Sequence, residues 1–237
     1  EHSWAMKNPC HISVKDFDGR SGRVVNYYQN LAERRVQIRT NTLLDGEKIA
    51  EPDFSANHLK MASHLVGEEL PEDPYTVVAD ETGLTRDQVK SIVTKCMGAS
   101  SLRSKGGIIK DSRLARIAID KYEFRAGLES LELNYPWTND IFFHDFGSRL
   151  QYLEGRIALH MMDWAVTEDV PLLVVHDAYA VKESDEEKTF QQMQHAWHMT
   201  ILEAREDRFL EKTEYTVPLV RERKSLIDKA KKAKKSK

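Results

Sequence analysis

The chain has few cysteines and no long apolar stretch, and each absence excludes a class of protein. Its two cysteines, Cys10 and Cys96, form neither a disulfide framework nor a CxxC pair of metal ligands. Reduced thiols are typical of a cytoplasmic protein. The longest apolar stretch, Val170–Val175, has the length of a buried strand and falls well short of the roughly 18 residues of a membrane span. We therefore expect no disulfides and no membrane association.

The composition is that of a globular protein with an uneven distribution of charge. Apolar residues make up 41% and charged residues 31% of the 237 positions, which excludes wholesale disorder. The formal net charge is -3, yet the segment Arg221–Lys237 holds nine basic residues against two acidic ones. Such a segment suits contact with a phosphate backbone, but solvated basic tails have the same composition. We assign residues 211–237 to a basic C-terminal tail and leave its role open.

The N-terminal 35 residues are predominantly polar and carry no targeting signal. Residues 1–5, Glu-His-Ser-Trp-Ala ahead of Met6, are typical of a tag remnant and lack a charged segment followed by an apolar one. We treat residues 1–35 as an N-terminal segment that precedes the first predicted strand.

The first structured block predicts strand, turn, strand, aspartate and helix. Alternation over Arg35–Thr40 is typical of a half-buried strand, and Asp45-Gly46 is a hairpin turn before a return strand at Lys48–Ala50. Asp53 follows, and Ser55 is a suitable helix N-cap. Apolar residues then recur at helical spacing, at Leu59, Ala62, Leu65 and Val66.

The remaining blocks alternate between helices and one hairpin. Residues 68–136 are polar and helical, with Thr85 as the cap of a helix that extends through Met97. A helix is predicted from Phe146 to about Val166, and a last one at Asp185–Phe209. Between these two helices, the two apolar runs of Pro171–Val181 predict a β-hairpin with His176 and Asp177 at its bend.

Two aspartates stand out by their positions in this pattern. Asp53 lies where a strand ends and Asp177 lies at a hairpin tip, so neighbouring strands would bring both carboxylates to one sheet edge. Two Mg²⁺ ions about 3.5–4 Å apart, held by hard oxygen ligands, are what nucleotidyl transfer requires. An Asp before a helix is also a common cap, and an Asp in a hairpin is a common turn residue.

Three segments resemble motifs of the family A DNA polymerases and the related single-subunit RNA polymerases. The segment Asp53–His58, followed by Leu-Lys-Met-Ala, resembles motif A. The run Leu173–Asp177 resembles motif C, an apolar strand followed by His-Asp. Between them, Arg86–Lys90 resembles the start of motif B on the fingers helix. The motifs occur in the family's order, and the resemblance covers residues 35–200 in patches.

The resemblance implies a role for individual residues. Asp53 and Asp177 would be the catalytic metal ligands, with the Phe54 carbonyl as a further ligand. The expected nucleotide-binding residues are Arg86 and Lys90 for the triphosphate, His58 near the sugar, and Thr94 in the same motif. The helix segment Leu150–Gly155 would touch the primer end. The expected nucleic-acid-binding residues are Glu154, Gln151, His176 and Arg39.

The sequence also departs from the family. Thr94 and Gly98 stand where motif B usually has its aromatic residues, and Ala178 follows His-Asp where the DNA enzymes have Glu. His58 stands where DNA polymerases place a Glu that helps to exclude a 2′-hydroxyl. Only the N-terminal segment of about 35 residues precedes the first palm strand, so the thumb is expected to be absent or reduced.

The combined prediction is an α+β fold of the right-hand polymerase type. Its palm, with an antiparallel sheet, would be formed by residues 36–67 and 137–210, and helical fingers would be inserted at residues 68–136. The predicted activity is a DNA polymerase that extends a primer 3′-hydroxyl with dNTPs, using two Mg²⁺ ions or Mn²⁺. Expected partners are a DNA primer–template, nucleoside triphosphates and an accessory replication protein that supplies grip. The cell would be bacterial, or the host of a phage or mobile element.

Other functions remain open at this point. RNA polymerase or primase activity on NTPs would use the same motifs. The His-Asp pairs His144-Asp145 and His176-Asp177, together with His58 and His64, are also compatible with an HD-type metal phosphohydrolase. That chemistry needs its His-Asp pair on a helix, and the apolar run before Asp177 argues against this. A nucleic-acid-binding relative that has lost synthesis is the third alternative.

Overall fold

The structure, a computed structural model, shows an α+β fold, as predicted. It describes residues 11–14, 21–31, 38–39, 41–101, 119–205 and 219–220. The predicted tag remnant, most of the predicted strand Arg35–Thr40 and most of the basic tail lie outside these residues. Ile38 and Arg39 are described and form a turn, so the strand prediction is wrong for them.

The helices cluster in the middle and the C-terminal half of the chain. In chain order they are α1 (Asn57–Leu65), α2 (Pro74–Thr82), α3 (Arg86–Gly98), α4 (Lys121–Asn134), α5 (Phe146–Thr167) and α6 (Glu186–Ala204). The strands are β1 (His11–Val14), β2 (Ser21–Val25), β3 (Leu43–Leu44), β4 (Glu47–Ala50), β5 (Asp53–Phe54), β6 (Leu173–Val175), β7 (Ala178–Lys182) and β8 (Leu219–Val220). Among the helices of the described residues, none combines the length and the apolarity needed to cross a membrane.

The strand β7 is the centre of the main sheet. It pairs antiparallel with β6 in the predicted hairpin, with β4 at Val181 and Lys182, and with β5 at Ala178. The outer strands β3 and β8 pair with β4 and β5. Because β5 and β6 both pair with the start of β7, the strands that begin the segments resembling motif A and motif C meet at one place in the sheet.

Local sequence signals account for the β3–β4 turn and for the start of α3. Asp45 and Gly46 both adopt positive φ angles (51° and 83°), as a two-residue hairpin between β3 and β4 requires. Thr85 and Gln88 form a reciprocal capping box at the start of α3. The Ser55 cap prediction is wrong, because α1 begins after Ala56, which adopts a left-handed conformation and makes no side-chain cap.

The core is one cluster of buried side chains to which the main sheet and all of the helices α1 to α6 contribute. Its largest fully buried side chains include Trp197 of α6, Tyr179 of β7, and Phe124 and Phe142. Trp197 Nε1 donates a hydrogen bond to Nδ1 of the buried His64 at 3.0 Å, which fixes α1 against α6. This contact holds in place the helix that directly follows Asp53.

The N-terminal segment contributes more to the fold than the sequence indicated. The β1–β2 hairpin lies against α5, and the backbones meet at Gly22 and Gly155. A Cβ atom at Gly155 would lie 2.0 Å from the Gly22 carbonyl oxygen, so only glycine allows this approach. At the other end, Leu219–Val220 of the predicted tail forms β8 and pairs with Asp53–Phe54.

Candidate active site

The two predicted metal-binding aspartates lie side by side in the main sheet. Asp53, the first residue of β5, pairs with Ala178, the first residue of β7. Asp177 directly precedes Ala178, next to His176, whose φ of 58° makes the hairpin bend. Paired residues of antiparallel strands have Cα atoms about 4.5–5.5 Å apart. Asp53 is therefore opposite the residue next to Asp177, although the two aspartates are far apart in the sequence.

A buried phenol shows that a third acid belongs to the same group. Tyr179 of β7 is fully buried, and its hydroxyl makes no hydrogen bond. Burial raises the pKa of Tyr179, and the charges of Glu154, Asp177 and Asp53 raise it further. The charges of carboxylates from β5, from the hairpin bend and from α5 thus all act on one buried hydroxyl.

The acid at the hairpin bend is difficult to ionise. Burial raises the pKa of Asp177 above its ordinary value, and the neighbouring charge of Glu154 raises it further. His58 and Lys90 lower this pKa and so oppose the effect only in part. A carboxylate that is desolvated beside a second carboxylate favours a bound cation, because the cation supplies the missing positive charge.

Glu154 of α5 is the most constrained acid of the site. Its side chain is only 5% exposed and accepts from Arg23 twice, with Nε–Oε1 at 2.8 Å and Nη2–Oε2 at 3.1 Å. His58 Nε2 lies 2.9 Å from the second oxygen. Burial alone would raise the pKa of Glu154, but the hydrogen bond with His58 and the charges of His58 and Arg23 lower it. Glu154 is thus a buried, ionised carboxylate held from two sides.

The exposed face of α3 lies on the other side of the site. Arg86, Lys90 and Thr94 are spaced at one-turn intervals, and all three are exposed. The Thr94 hydroxyl donates to the Lys90 carbonyl at 2.8 Å and so makes a local helix contact. Lys90 is close enough to Asp177 for its charge to lower the Asp177 pKa. The predicted nucleotide-binding face therefore borders the predicted metal site.

Arg86 has a specific partner within the helical region. Its Nε donates to Asp73 Oδ2, and its guanidinium lies 5.2 Å from the centre of the Tyr75 ring. Asp73 is also the N-cap of α2, where it accepts from the Tyr75 amide at 3.1 Å. The charge of Asp177 contributes to raising the pKa of the buried Tyr75, after burial as the main cause. Asp73, Tyr75 and Arg86 thus form a group next to the acidic site.

The remaining predicted residues lie around the acids in different environments. Gln151 is half-buried on α5, and Phe54 packs its ring on Trp197 with centroids 5.0 Å apart. Burial, with a smaller effect of the Arg23 charge, lowers the pKa of His176, which favours a neutral ring. Arg39, predicted as a phosphate-binding side chain, is only 9% exposed and lies 4.0 Å from Glu51.

Arg23 is the residue that the sequence analysis missed. It belongs to β2, in the N-terminal segment that was predicted to lie outside the palm and the fingers. Its guanidinium donates to the carboxylate of Glu154, which is 131 positions away in the sequence. A lone arginine in a polar segment gives no local signal of such a contact. The only available hint was a glycine pair, Gly19 and Gly22, that could mark a close backbone approach.

Neither a recognisable metal cluster among the described residues nor a related protein identifies this site. Within the described ranges, no set of three or more His, Cys, Asp or Glu side chains is arranged as a metal-binding group. No protein-family model matches the chain, and no curated protein has a matching sequence. The polymerase resemblance therefore rests on the three motifs and on where the fold places them.

Proposed function

We propose that the chain is the palm and fingers of a template-directed nucleotidyltransferase, most specifically a DNA polymerase of the family A type. The observation that carries the proposal is the pairing of Asp53 with Ala178, which brings Asp53 beside Asp177. On this proposal the main sheet and α5 form the palm, and α2, α3 and α4 belong to the fingers. The right-hand arrangement of palm and fingers, as in polymerases, is likewise proposed for this chain.

The donor set fits a pair of Mg²⁺ ions. Asp53 and Asp177 offer hard carboxylate oxygens, and Asp177 lies where burial and Glu154 disfavour its charge. Asp53 and Asp177 would hold the ions, with the Phe54 carbonyl as an additional ligand, and Mn²⁺ would suit the same oxygens. When bound, the ions would activate the primer hydroxyl and neutralise charge on the transferring phosphoryl group.

The chain's own residues would position the substrates for this reaction. The primer 3′-oxygen would form a bond to the α-phosphorus, and the bond between that phosphorus and the bridging β-phosphate oxygen would break. Pyrophosphate would leave, and the hydroxyl proton would pass to solvent water. Lys90 and Arg86 on α3 would hold the triphosphate as an i,i+4 pair of cations. His58, held by Glu154, would lie near the sugar. Gln151 and His176 would support the primer–template side, whereas Arg39 is too buried to contact it.

The placement of the His-Asp pairs favours this proposal over an HD-type phosphohydrolase. His176 and Asp177 lie between two strands, and His144 and Asp145 lie in the turn before α5. Neither pair is on a helix, where HD-type chemistry requires it. An RNA polymerase or primase would use the same aspartates, so the choice between dNTPs and NTPs is left to the experiment.

The proposal is tested by primer extension with an Asp177→Asn variant. A labelled DNA primer–template is incubated with Mg²⁺ and either dNTPs or NTPs, with a primer-free reaction in parallel. We expect wild-type extension with dNTPs and at least a hundredfold loss in Asp177→Asn, because the ligand charge is removed while the side-chain shape is kept. Asp163→Asn, an exposed acid on α5, is the matched control and should extend normally. The proposal would be contradicted if wild type extended the primer neither with dNTPs nor with NTPs. Unchanged extension by Asp177→Asn would also contradict it.

A further inference from the structure

Asp73 forms an ion pair with Arg86, the arginine that the proposed triphosphate site needs. Its Oδ2 accepts from Arg86 Nε, while its Oδ1 accepts from the Tyr75 amide at 3.1 Å. The aromatic ring of Tyr75 lies under the guanidinium, 5.2 Å from ring centre to Cζ. Arg86 is thereby held at the base of α3, on the face that Lys90 and Thr94 continue.

The backbone directly before Asp73 is fixed to helix α1. Lys60 of α1, only 6% exposed, donates through Nζ to the Glu72 carbonyl at 2.8 Å. One turn further along α1, His64 Nε2 lies 3.5 Å from a Glu69 oxygen. The connection from α1 to α2 is therefore anchored directly before Asp73. The Asp73 backbone is therefore held in place when Arg86 moves toward a ligand.

Protonation does not release this contact. The hydrogen bond and the charge of Arg86, together with the Tyr75 amide, outweigh burial and lower the pKa of Asp73. Asp73 is therefore ionised at every physiological pH. A competing anion must displace it, and a triphosphate carries more negative charge than one carboxylate.

We propose that Asp73 is a positioning residue that weakens nucleotide binding by holding Arg86 until a triphosphate displaces it. The inference rests on the proposed function in one respect, namely that Arg86 contacts the triphosphate. Both side chains are partly exposed, Arg86 by 42% and Asp73 by 34%, so the competition is modest. Exposed ion pairs of this kind correspond to an effect of about two- to fivefold in affinity.

The test replaces Asp73 by Asn. Asparagine is as good an N-cap as aspartate, so α2 keeps its start while Arg86 loses its anionic partner. The probe is inorganic tripolyphosphate with Mg²⁺, whose binding is measured by calorimetry without any need for catalysis. We expect about two- to fivefold tighter binding by Asp73→Asn than by wild type, and a similar fall in the nucleotide KM with kcat unchanged. A purely structural role would instead lower the thermal midpoint and kcat together.

The matched control is Asp87→Asn. Asp87 is an exposed acid in the first turn of α3, directly after Arg86, so its removal changes the local charge equally without freeing Arg86. The double variant Asp73→Asn, Arg86→Gln should lose the gain. Equal effects of Asp73→Asn and Asp87→Asn, or no tightening in Asp73→Asn, would overturn the inference.

The two proposals fail in distinguishable ways. Suppose that wild type extends no primer but Asp73→Asn binds tripolyphosphate more tightly, and that Arg86 is needed for this gain. Competition between Asp73 and the polyanion for Arg86 is then supported, and polymerase activity is refuted. If wild type extends a primer and Asp73→Asn binds tripolyphosphate no better, only the role of Asp73 is refuted.

Discussion

The two sides of the candidate site are built in opposite ways. On the side of α5 and the main sheet, the proposed palm side, the carboxylate of Glu154 is buried and held by Arg23 and His58 at 2.8–3.1 Å. On the side of α3, the proposed fingers side, Lys90 and Thr94 are exposed. One side is fixed by the packed interior, and the other faces solvent with its charge available.

This difference indicates which side must be preformed and which must adapt. Acidic groups that share a cation have to be held in position against their mutual repulsion, and burial between helix and strand does this. Cations that receive a polyanion need to remain accessible until it arrives. The comparison predicts large effects of substitutions on the palm side and small effects on the fingers side.

The largest effect is expected where the backbones of the palm side meet. In Gly155→Ala, the new methyl group would lie 2.0 Å from the Gly22 carbonyl oxygen, so β2 or α5 must shift. We expect a loss of about 3 kcal/mol or more in the free energy of unfolding, measured by chemical denaturation. A helical Gly→Ala change without such contact would usually stabilise by up to about 1 kcal/mol.

The fingers side offers the matched control for this substitution. Gly98 is the last residue of α3, it is exposed, and a Cβ atom there would meet no atom within 4 Å. Gly98→Ala should leave stability unchanged or raise it slightly. Similar unfolding free energies for the two alanine variants would show that the β2–α5 contact is not as close as described.

The next effect compares a buried and an exposed ion-pair site on α5. Glu154→Gln leaves Arg23 and His58 without a carboxylate partner in a mostly buried place, and we expect a loss of about 2–3 kcal/mol. Glu203→Gln breaks the Arg156–Glu203 pair, whose side chains are 38% and 44% exposed. That pair should contribute at most about 1 kcal/mol. Both values come from denaturant unfolding at pH 7, and a loss in Glu203→Gln equal to that in Glu154→Gln would contradict the assignment.

The sequence predicted the parts of the site that local signals specify. The capping box of Thr85 and Gln88 fixed the start of α3, and an apolar run on each side of His176-Asp177 fixed the hairpin. The α1 start was wrong at Ser55, because Ala56 begins the helix from a left-handed conformation that side-chain propensity does not reveal.

Long-range contacts were outside the reach of sequence patterns. The burial of Glu154 depends on Arg23, which approaches only because Gly22 and Gly155 let β2 lie against α5. No periodicity in either segment encodes that partner. Likewise, the two residues of β8 are assigned by composition to a tail, and only pairing with β5 makes them a strand.

The smallest expected effect is a pH-dependent difference in the free energy of unfolding, which tests whether Asp177 is a desolvated acid with a raised pKa. The raised pKa of Asp177 means that the folded chain holds this proton more tightly than the unfolded chain does. The ionised carboxylate therefore costs stability above its raised pKa, and this cost disappears as the pH falls toward the ordinary value of about 4. In the absence of divalent ions, Asp177→Asn should be about 1 kcal/mol more stable than wild type at pH 8, and the difference should shrink steadily toward pH 4.

Unfolding curves at several pH values, for wild type, Asp177→Asn and the exposed control Asp163→Asn, measure this difference. Added Mg²⁺ should raise the unfolding midpoint of wild type and of Asp163→Asn but not that of Asp177→Asn, because only an ionised pair of aspartates gains from the cation. A stability difference that stays constant with pH, or grows as the pH falls, would mean that Asp177 is an ordinary turn residue. The electrostatic reason for a cation at the sheet edge would then be lost, even though Asp53 still lies beside it.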